Sequence, residues 1–322
     1  MELAPGGALV ECGRKMILLL GATGLLGGQV LRGLLERKLP VRVFTRGASD
    51  WKNASIQDLR RRGVEVIIAD ALEDEKLELA VAGCSAVINL VGAFAERKGA
   101  SFEDIHVKIV ERLLHHAKNH DVQRIIHVSC LGAAPSEDNR YLSTKWQAEK
   151  IVKNADCYWT ILRPSFMFGE KFPFVEMFGL LLKFPPFFPL VGSGMNEIQP
   201  VCVDDVANFL IECIYKKETV GQIYELGGPE IYNMLELFEM MRQEMGLSTK
   251  NVAVPVHMLK TMLSLMAQAK SPIEWQAFVD TLPLLSIDSI CQSNALETSA
   301  ELTAGKEVQV LGDRLKKILS RI

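Results

Sequence analysis

Lys15 to Gly28 reads KMILLLGATGLLGG, an apolar run that ends abruptly in a glycine-rich turn. The run suits a strand buried on both faces of a parallel sheet. The glycines after it meet the demands of a pyrophosphate site. Gly21 allows a tight turn, Gly24 lets backbone N–H groups approach the phosphates, and Gly27 lets the next helix pack closely. A helix over residues 25–38 would then offer its N-terminal N–H groups to the anion, with Thr23, Leu25 and Leu26 at its mouth. The same turn can serve as a plain strand–helix corner. The reading as a dinucleotide cradle rests on strand, turn and helix arriving in the required order.

Outward from this turn, apolar strand-like runs at 16–20, 41–45, 64–69, 86–91, 124–129 and 158–162 alternate with helical patterns at 25–38, 55–62, 74–82, 102–120 and 140–154. That alternation predicts an α/β fold with a doubly wound, parallel, Rossmann-like sheet. Beyond Pro164 the pattern breaks into proline, phenylalanine and glycine clusters. We expect a flexible leader over 1–15, a dinucleotide-binding domain over 16–165, and a smaller, discontinuous lobe over 166–322. Segments at about 199–227 should return to the main domain.

Composition narrows the function. The chain has 322 residues, enough for a large core without staples. Its seven cysteines are scattered and form no Cys-x-x-Cys pair, which argues against disulfides and zinc and for a reducing compartment. With 36 basic and 39 acidic residues, the net charge of −3 offers no field for nucleic acid. No secretion signal is evident, and no stretch approaches the roughly 18 apolar residues of a membrane span. His115, His116 and His120 invite a metal reading, but no third ligand is evident, so no metal is expected.

Several residues could carry chemistry. The second strand ends at Arg46 with no acid before Asp50; a basic residue there accommodates a ribose 2′-phosphate, so NADP(H) is expected over NAD(H). Asp70 and Ala71 follow the third strand, where the adenine should lie. Leu90, Val91 and Gly92 close the fourth, where the middle of the cofactor should pass. Tyr141 and Lys145 are four apart and share a helix face. An ammonium beside a phenol favours the phenolate and should lower the tyrosine pKa, making a proton donor and acceptor for a carbonyl or carbinol.

With GATGLLG, HVSCLGA (127–133), YLSTK (141–145), LRPSFMFGE (162–170) and QPVCVDDVANFL (199–210), the chain resembles the extended, atypical short-chain dehydrogenase/reductases, including the NAD-dependent epimerase/dehydratase type. The resemblance implies Tyr141 as general acid/base and Lys145 on the nicotinamide ribose. It also implies a hydroxyl such as Ser129 polarising the substrate, and Pro164 and Ser165 against the nicotinamide. Here the expected hydroxyl aligns with Cys130, one place after Ser129. Adjacent strand residues point to opposite faces, so Ser129 serves only where the strand has already ended.

VINLVGAF (87–94), SFEDIHVKI (101–109), RYLSTKWQAEK (140–150) and QPVCVDDVA (199–207) are similar to a narrower group. This is the family of the NADPH-binding accessory subunit of respiratory complex I and its bacterial homologues. That resemblance implies tightly held NADPH in a structural or assembly role. It implies a complex I or other membrane-associated partner, and a bacterial cytoplasm or organelle matrix, peripheral to the inner membrane. The alternative is a working NADP-dependent reductase, dehydrogenase or epimerase on a small carbonyl or sugar-like substrate. A third reading is a dinucleotide-sensing regulator. The apolar segments 172–191 and 256–269 fit either the core of the second lobe or a contact surface.

Overall fold

Ile17 and Leu19 face one side of the central sheet and Leu18 and Leu20 the other, and all four are fully buried. This is why the first strand is apolar at every position and does not alternate. The computed structural model describes residues 15–47, 56–97, 99–137, 139–169, 187–191, 193–247, 250–267, 279, 284, 287–303 and 305–319. The expected leader, and most of the 172–191 stretch, lie outside these residues.

Seven parallel strands form the main sheet in the order β11-β6-β5-β4-β1-β2-β3. They are β1 (Ile17–Leu20), β2 (Val41–Thr45), β3 (Glu65–Ile68), β4 (Ala86–Asn89), β5 (Arg124–Val128), β6 (Tyr158–Pro164) and β11 (Gln222–Leu226). The order reverses between β1 and β4, and in such sheets a ligand sits in the crevice at that reversal. Helix α1 (Leu25–Glu36) covers one face together with α6 (Val203–Cys213). The two helices approach closely at Gly33, where an added Cβ would lie 2.6 Å from Ile211 Cδ1. Arg32 and Arg37 of α1 pair with Asp204 and Glu212 at 2.9 and 2.7 Å. The other face carries α3 (Asp74–Val81), α4 (Ile109–Asn119) and α5 (Arg140–Lys153).

The 199–227 region sits partly on the main domain. Helix α6 packs on α1, and β11 adds to the sheet edge in register with β6. Strand β10 (Val201–Cys202) instead makes a small ladder with β7 (Met167–Phe168). A second core gathers Phe168, Ile198, Met234, Phe238, Leu259, Leu263 and Leu315. Helix α8 (Val256–Ala267) thus buries Leu259 and Leu263, while Met258 and Leu265 stay exposed. Among the described residues, no helix is long and apolar enough to cross a membrane. His116 and His120 face acids on α3, at 3.0 Å from Asp74 and 3.4 Å from Glu78.

Candidate dinucleotide site

The glycine turn closes the crevice at the end of β1. Gly21 has φ +82°, in the left-handed region, and a Cβ there would meet the Leu90 carbonyl at 2.9 Å. The Gly24 N–H donates to the Gly21 carbonyl at 3.1 Å. At Gly27 a Cβ would fall 2.1 Å from the Gly21 oxygen, so α1 can pack on the turn only with glycine there. Helix α1 starts at Gly24 with no side-chain cap and no acid in its first turn. A Cβ at Gly24 would meet only the Gly21 oxygen, at 3.4 Å. An uncapped, uncharged helix start beside open backbone fits a pyrophosphate. Ala22 and Leu26 are buried beneath it, and Thr23 and Leu25 are half-buried at its mouth.

One end of the crevice, where the adenine is expected, is built by β2 and β3. The Ala69 N–H donates to the Thr45 carbonyl at 2.9 Å, so Arg46 and Asp70 leave the sheet side by side. Arg46 is exposed and Ala71 buried. Asp70 accepts from the Leu72 N–H at 3.0 Å and from Arg97 Nη2 at 2.5 Å. Burial raises the Asp70 carboxyl, but the Leu72 N–H, Arg97 and the charge of Arg46 outweigh it and hold the group below its ordinary value.

At the centre, the Leu90 N–H donates to the Leu20 carbonyl at 3.1 Å, and Asn89 Oδ1 accepts from the Val91 N–H at 3.1 Å. Gly92 leaves the crevice open beside Lys145; a Cβ there would lie 3.8 Å from Nζ and 4.0 Å from His106 Nε2.

Tyr141 and Lys145 emerge from α5 into this centre, both buried. The ring of Tyr141 is enclosed by Phe94, stacked at 5.6 Å, and by Phe102 and His106, edge-on at 5.9 and 5.4 Å. Its hydroxyl hydrogen-bonds with the Cys130 thiol. Lys145 Nζ donates to the Val128 carbonyl at 2.8 Å. The expected lowering of the tyrosine pKa does not arise. Burial pushes the phenol well above its ordinary value, with Cys130 adding in the same direction, while burial pulls the lysine down. The ammonium is spent on a strand carbonyl, and desolvation dominates.

Strand β5 has ended by Ser129, which is buried with its Oγ lacking a hydrogen-bond partner among the described residues. Cys130, the next residue, is the one that touches Tyr141. Its thiol is pushed up to about 11 by burial, so it is a neutral, weak donor. Pro164 ends β6 and accepts from the Leu131 N–H at 3.0 Å. Ser165 is buried and its Oγ donates to the Ser289 carbonyl at 3.0 Å, which ties the second lobe to the sheet.

His106 escaped the sequence reading. It lies on a π-helical turn, Glu103–Lys108, ahead of α4. Its Nε2 accepts from the Ala93 N–H at 3.2 Å and its Nδ1 lies 2.9 Å from Thr144 Oγ1. A backbone donor on Nε2 assigns the proton to Nδ1. Burial, and then the charge of Lys145, lower its pKa to about 3. The signal was present as Phe102 and His106 one turn apart, each touching Tyr141.

Two solved structures share this architecture over almost the whole chain. A nucleoside-diphosphate-sugar epimerase from Staphylococcus aureus gives a TM-score of 0.72 at 20% identity, covering 93% of this chain and 99% of that one. An NADPH-dependent quinone oxidoreductase from Escherichia coli, in complex with NADPH, gives 0.71 at 18% identity over 93% and 98%. The seven-stranded parallel sheet and the glycine turn define a Rossmann-like dinucleotide-binding fold. The NAD(P)H-binding family matches residues 21–217. The chain is also 32% identical over 289 residues to an Arabidopsis thaliana protein, NADH dehydrogenase (ubiquinone) 1 alpha subcomplex subunit 9, mitochondrial, covering 86% of this chain and 71% of that one. The chain belongs to this NAD(P)H-binding family, together with the complex I alpha subcomplex subunit 9 proteins.

Proposed function

We propose that this protein holds NADP(H) as a fixed constituent and acts as an accessory component of a respiratory complex I or a related membrane-associated assembly. The observation that carries this reading is the contrast between the two ends of the crevice. The glycine turn suits a dinucleotide, whereas Tyr141 is stacked under Phe94 with its hydroxyl on the half-buried Cys130 thiol. A dinucleotide bound there would supply a nicotinamide. Gly21, Gly24 and the start of α1 would hold its pyrophosphate, Asp70 and Ala71 would border its adenine, and Lys145 would lie by the nicotinamide ribose. Pro164 and Ser165 would border the nicotinamide itself. Arg46, with no acid at the end of β2, supports NADP(H) over NAD(H). The mitochondrial relative supports an organelle matrix or the equivalent bacterial cytoplasm, peripheral to the inner membrane.

The test is made on protein purified from its native membranes and as the free chain. NADPH should stay bound through gel filtration in preference to NADH, and the protein should travel with complex I subunits. Carbonyl and quinone panels should show no sustained turnover, and Tyr141→Phe should leave cofactor retention and partner binding within about twofold. Robust turnover abolished by Tyr141→Phe would instead establish the reductase reading, with Tyr141 moving the proton and Ser129 or Cys130 beside it.

A further inference from the structure

The loop between β4 and the π turn spans the carboxyl ends of the strands and is held at several points. The Ala93 N–H is on His106, Phe94 is on Tyr141, and Glu96 accepts from the Phe102 N–H and pairs with Arg140 at 3.0 Å. A tight turn then locks the backbone of Arg97. The Arg97 N–H donates to the Ala100 carbonyl at 3.0 Å and the Ala100 N–H returns the bond at 2.9 Å, across Gly99 with φ +83°. The fixed loop delivers the Arg97 guanidinium to Asp70 at the adenine end of the crevice, far in sequence from the arginine already expected there.

Arg46 and Asp70 are neighbours across the Thr45–Ala69 hydrogen bond, and the charge of Arg46 acts on the same carboxylate that Arg97 binds. Two guanidinium groups and the Asp70 carboxylate therefore share one corner, where Glu73 Oε1 also accepts from the Asp70 N–H at 2.8 Å. Stability does not account for the arrangement. The Arg97 side chain is 37% exposed and Asp70 26%, and ion pairs of that exposure contribute little to folding. Arginine is suited to a phosphate, because its fork carries five donors. Among the described residues Asp70 occupies Nη2, which leaves the remaining N–H groups of the fork for a second acceptor.

We propose that Arg97 is a specificity-determining residue that holds the adenosine 2′-phosphate jointly with Arg46, and that Asp70 is the positioning residue that aims its guanidinium. This rests on the NADP(H) reading above. A phosphate dianion entering the corner meets two guanidinium groups, the exposed Arg46 at the end of β2 and Arg97 held on Asp70 by the β4 loop. The 2′-hydroxyl of NAD(H) offers neither charge nor bidentate geometry.

Calorimetric titration with 2′,5′-ADP and 5′-AMP isolates the 2′-phosphate from the rest of the cofactor. The wild type should bind 2′,5′-ADP at least about tenfold more tightly than 5′-AMP. Arg97→Ala should cost about tenfold on 2′,5′-ADP and under twofold on 5′-AMP, and should flatten the salt dependence of 2′,5′-ADP binding. Arg97→Lys should restore part of the affinity, keeping the charge but losing the fork. Thermal melts of both variants should match the wild type. Equal losses on both ligands would make Arg97 a brace for the loop and overturn the proposal. So would a wild-type preference that only Arg46→Ala removes. A wild type that binds both ligands equally would instead sink the NADP(H) reading itself.

Discussion

Gly27 and Gly28 sit side by side on the first turn of α1, yet an added methyl group meets opposite surroundings at the two positions. At Gly27 it would penetrate the Gly21 carbonyl, and at Gly28 nothing lies within 4 Å. Gly27→Ala should therefore open the turn, abolish NADPH retention and cost about 1–3 kcal/mol of stability, the range for overpacking. Gly28→Ala should retain NADPH and gain about 0.5–1 kcal/mol, because alanine loses less entropy in a helix. Denaturant unfolding with and without NADPH measures both; a normal cofactor complex in Gly27→Ala would refute the packing role. The glycine spacing was legible because backbone collisions are local. What Tyr141 touches was not, because Phe94, Phe102 and His106 come from the connection after β4 and Cys130 from the one after β5.

At the scale of elements, the 102–120 pattern reads as one helix, and the structure divides it into a π turn and α4. The wider turn accompanies His106 facing Ala93 and Thr144, a preference that comes from packing and leaves no trace in periodicity. His106 stays neutral when folded, with a pKa near 3, while the unfolded chain takes up its proton near the ordinary 6.5. Between those values the unfolded state binds more protons, so the contribution is fully present above about pH 6.5 and is lost as pH falls toward 3. Buried His127, also lowered by desolvation, acts in the same direction. The melting temperature should drop between pH 7.5 and 5.5, and less steeply in His106→Gln, whose amide oxygen can still accept from Ala93 without titrating. An unchanged slope in that variant would remove His106 from the account.

For the whole molecule, the crevice lies where the strand order turns back between β1 and β4, under a loop anchored to both halves of the sheet. A ligand bound there joins elements far apart in sequence and binds only the folded chain. NADPH at about a hundred times its dissociation constant should add about 2.7 kcal/mol, read as a higher melting temperature. NADH at the same concentration should add less. A melting temperature indifferent to NADPH would remove the cofactor from the structural role proposed for it.

Sequence alone determined the alternation of strands and helices, the glycine turn and the shared helix face of Tyr141 and Lys145. Each depends on residues within one or two turns of chain, where steric and periodic constraints act directly. Tertiary structure decided that burial raises the Tyr141 phenol, that Cys130 and not Ser129 meets it, and that His106 and Arg97 reach the crevice. It also decided which strands join the main sheet and which make small separate ladders. Desolvation, stacking and ion pairing depend on distances across the fold, and those are set only when the β4 loop, the π turn and α5 close on one another.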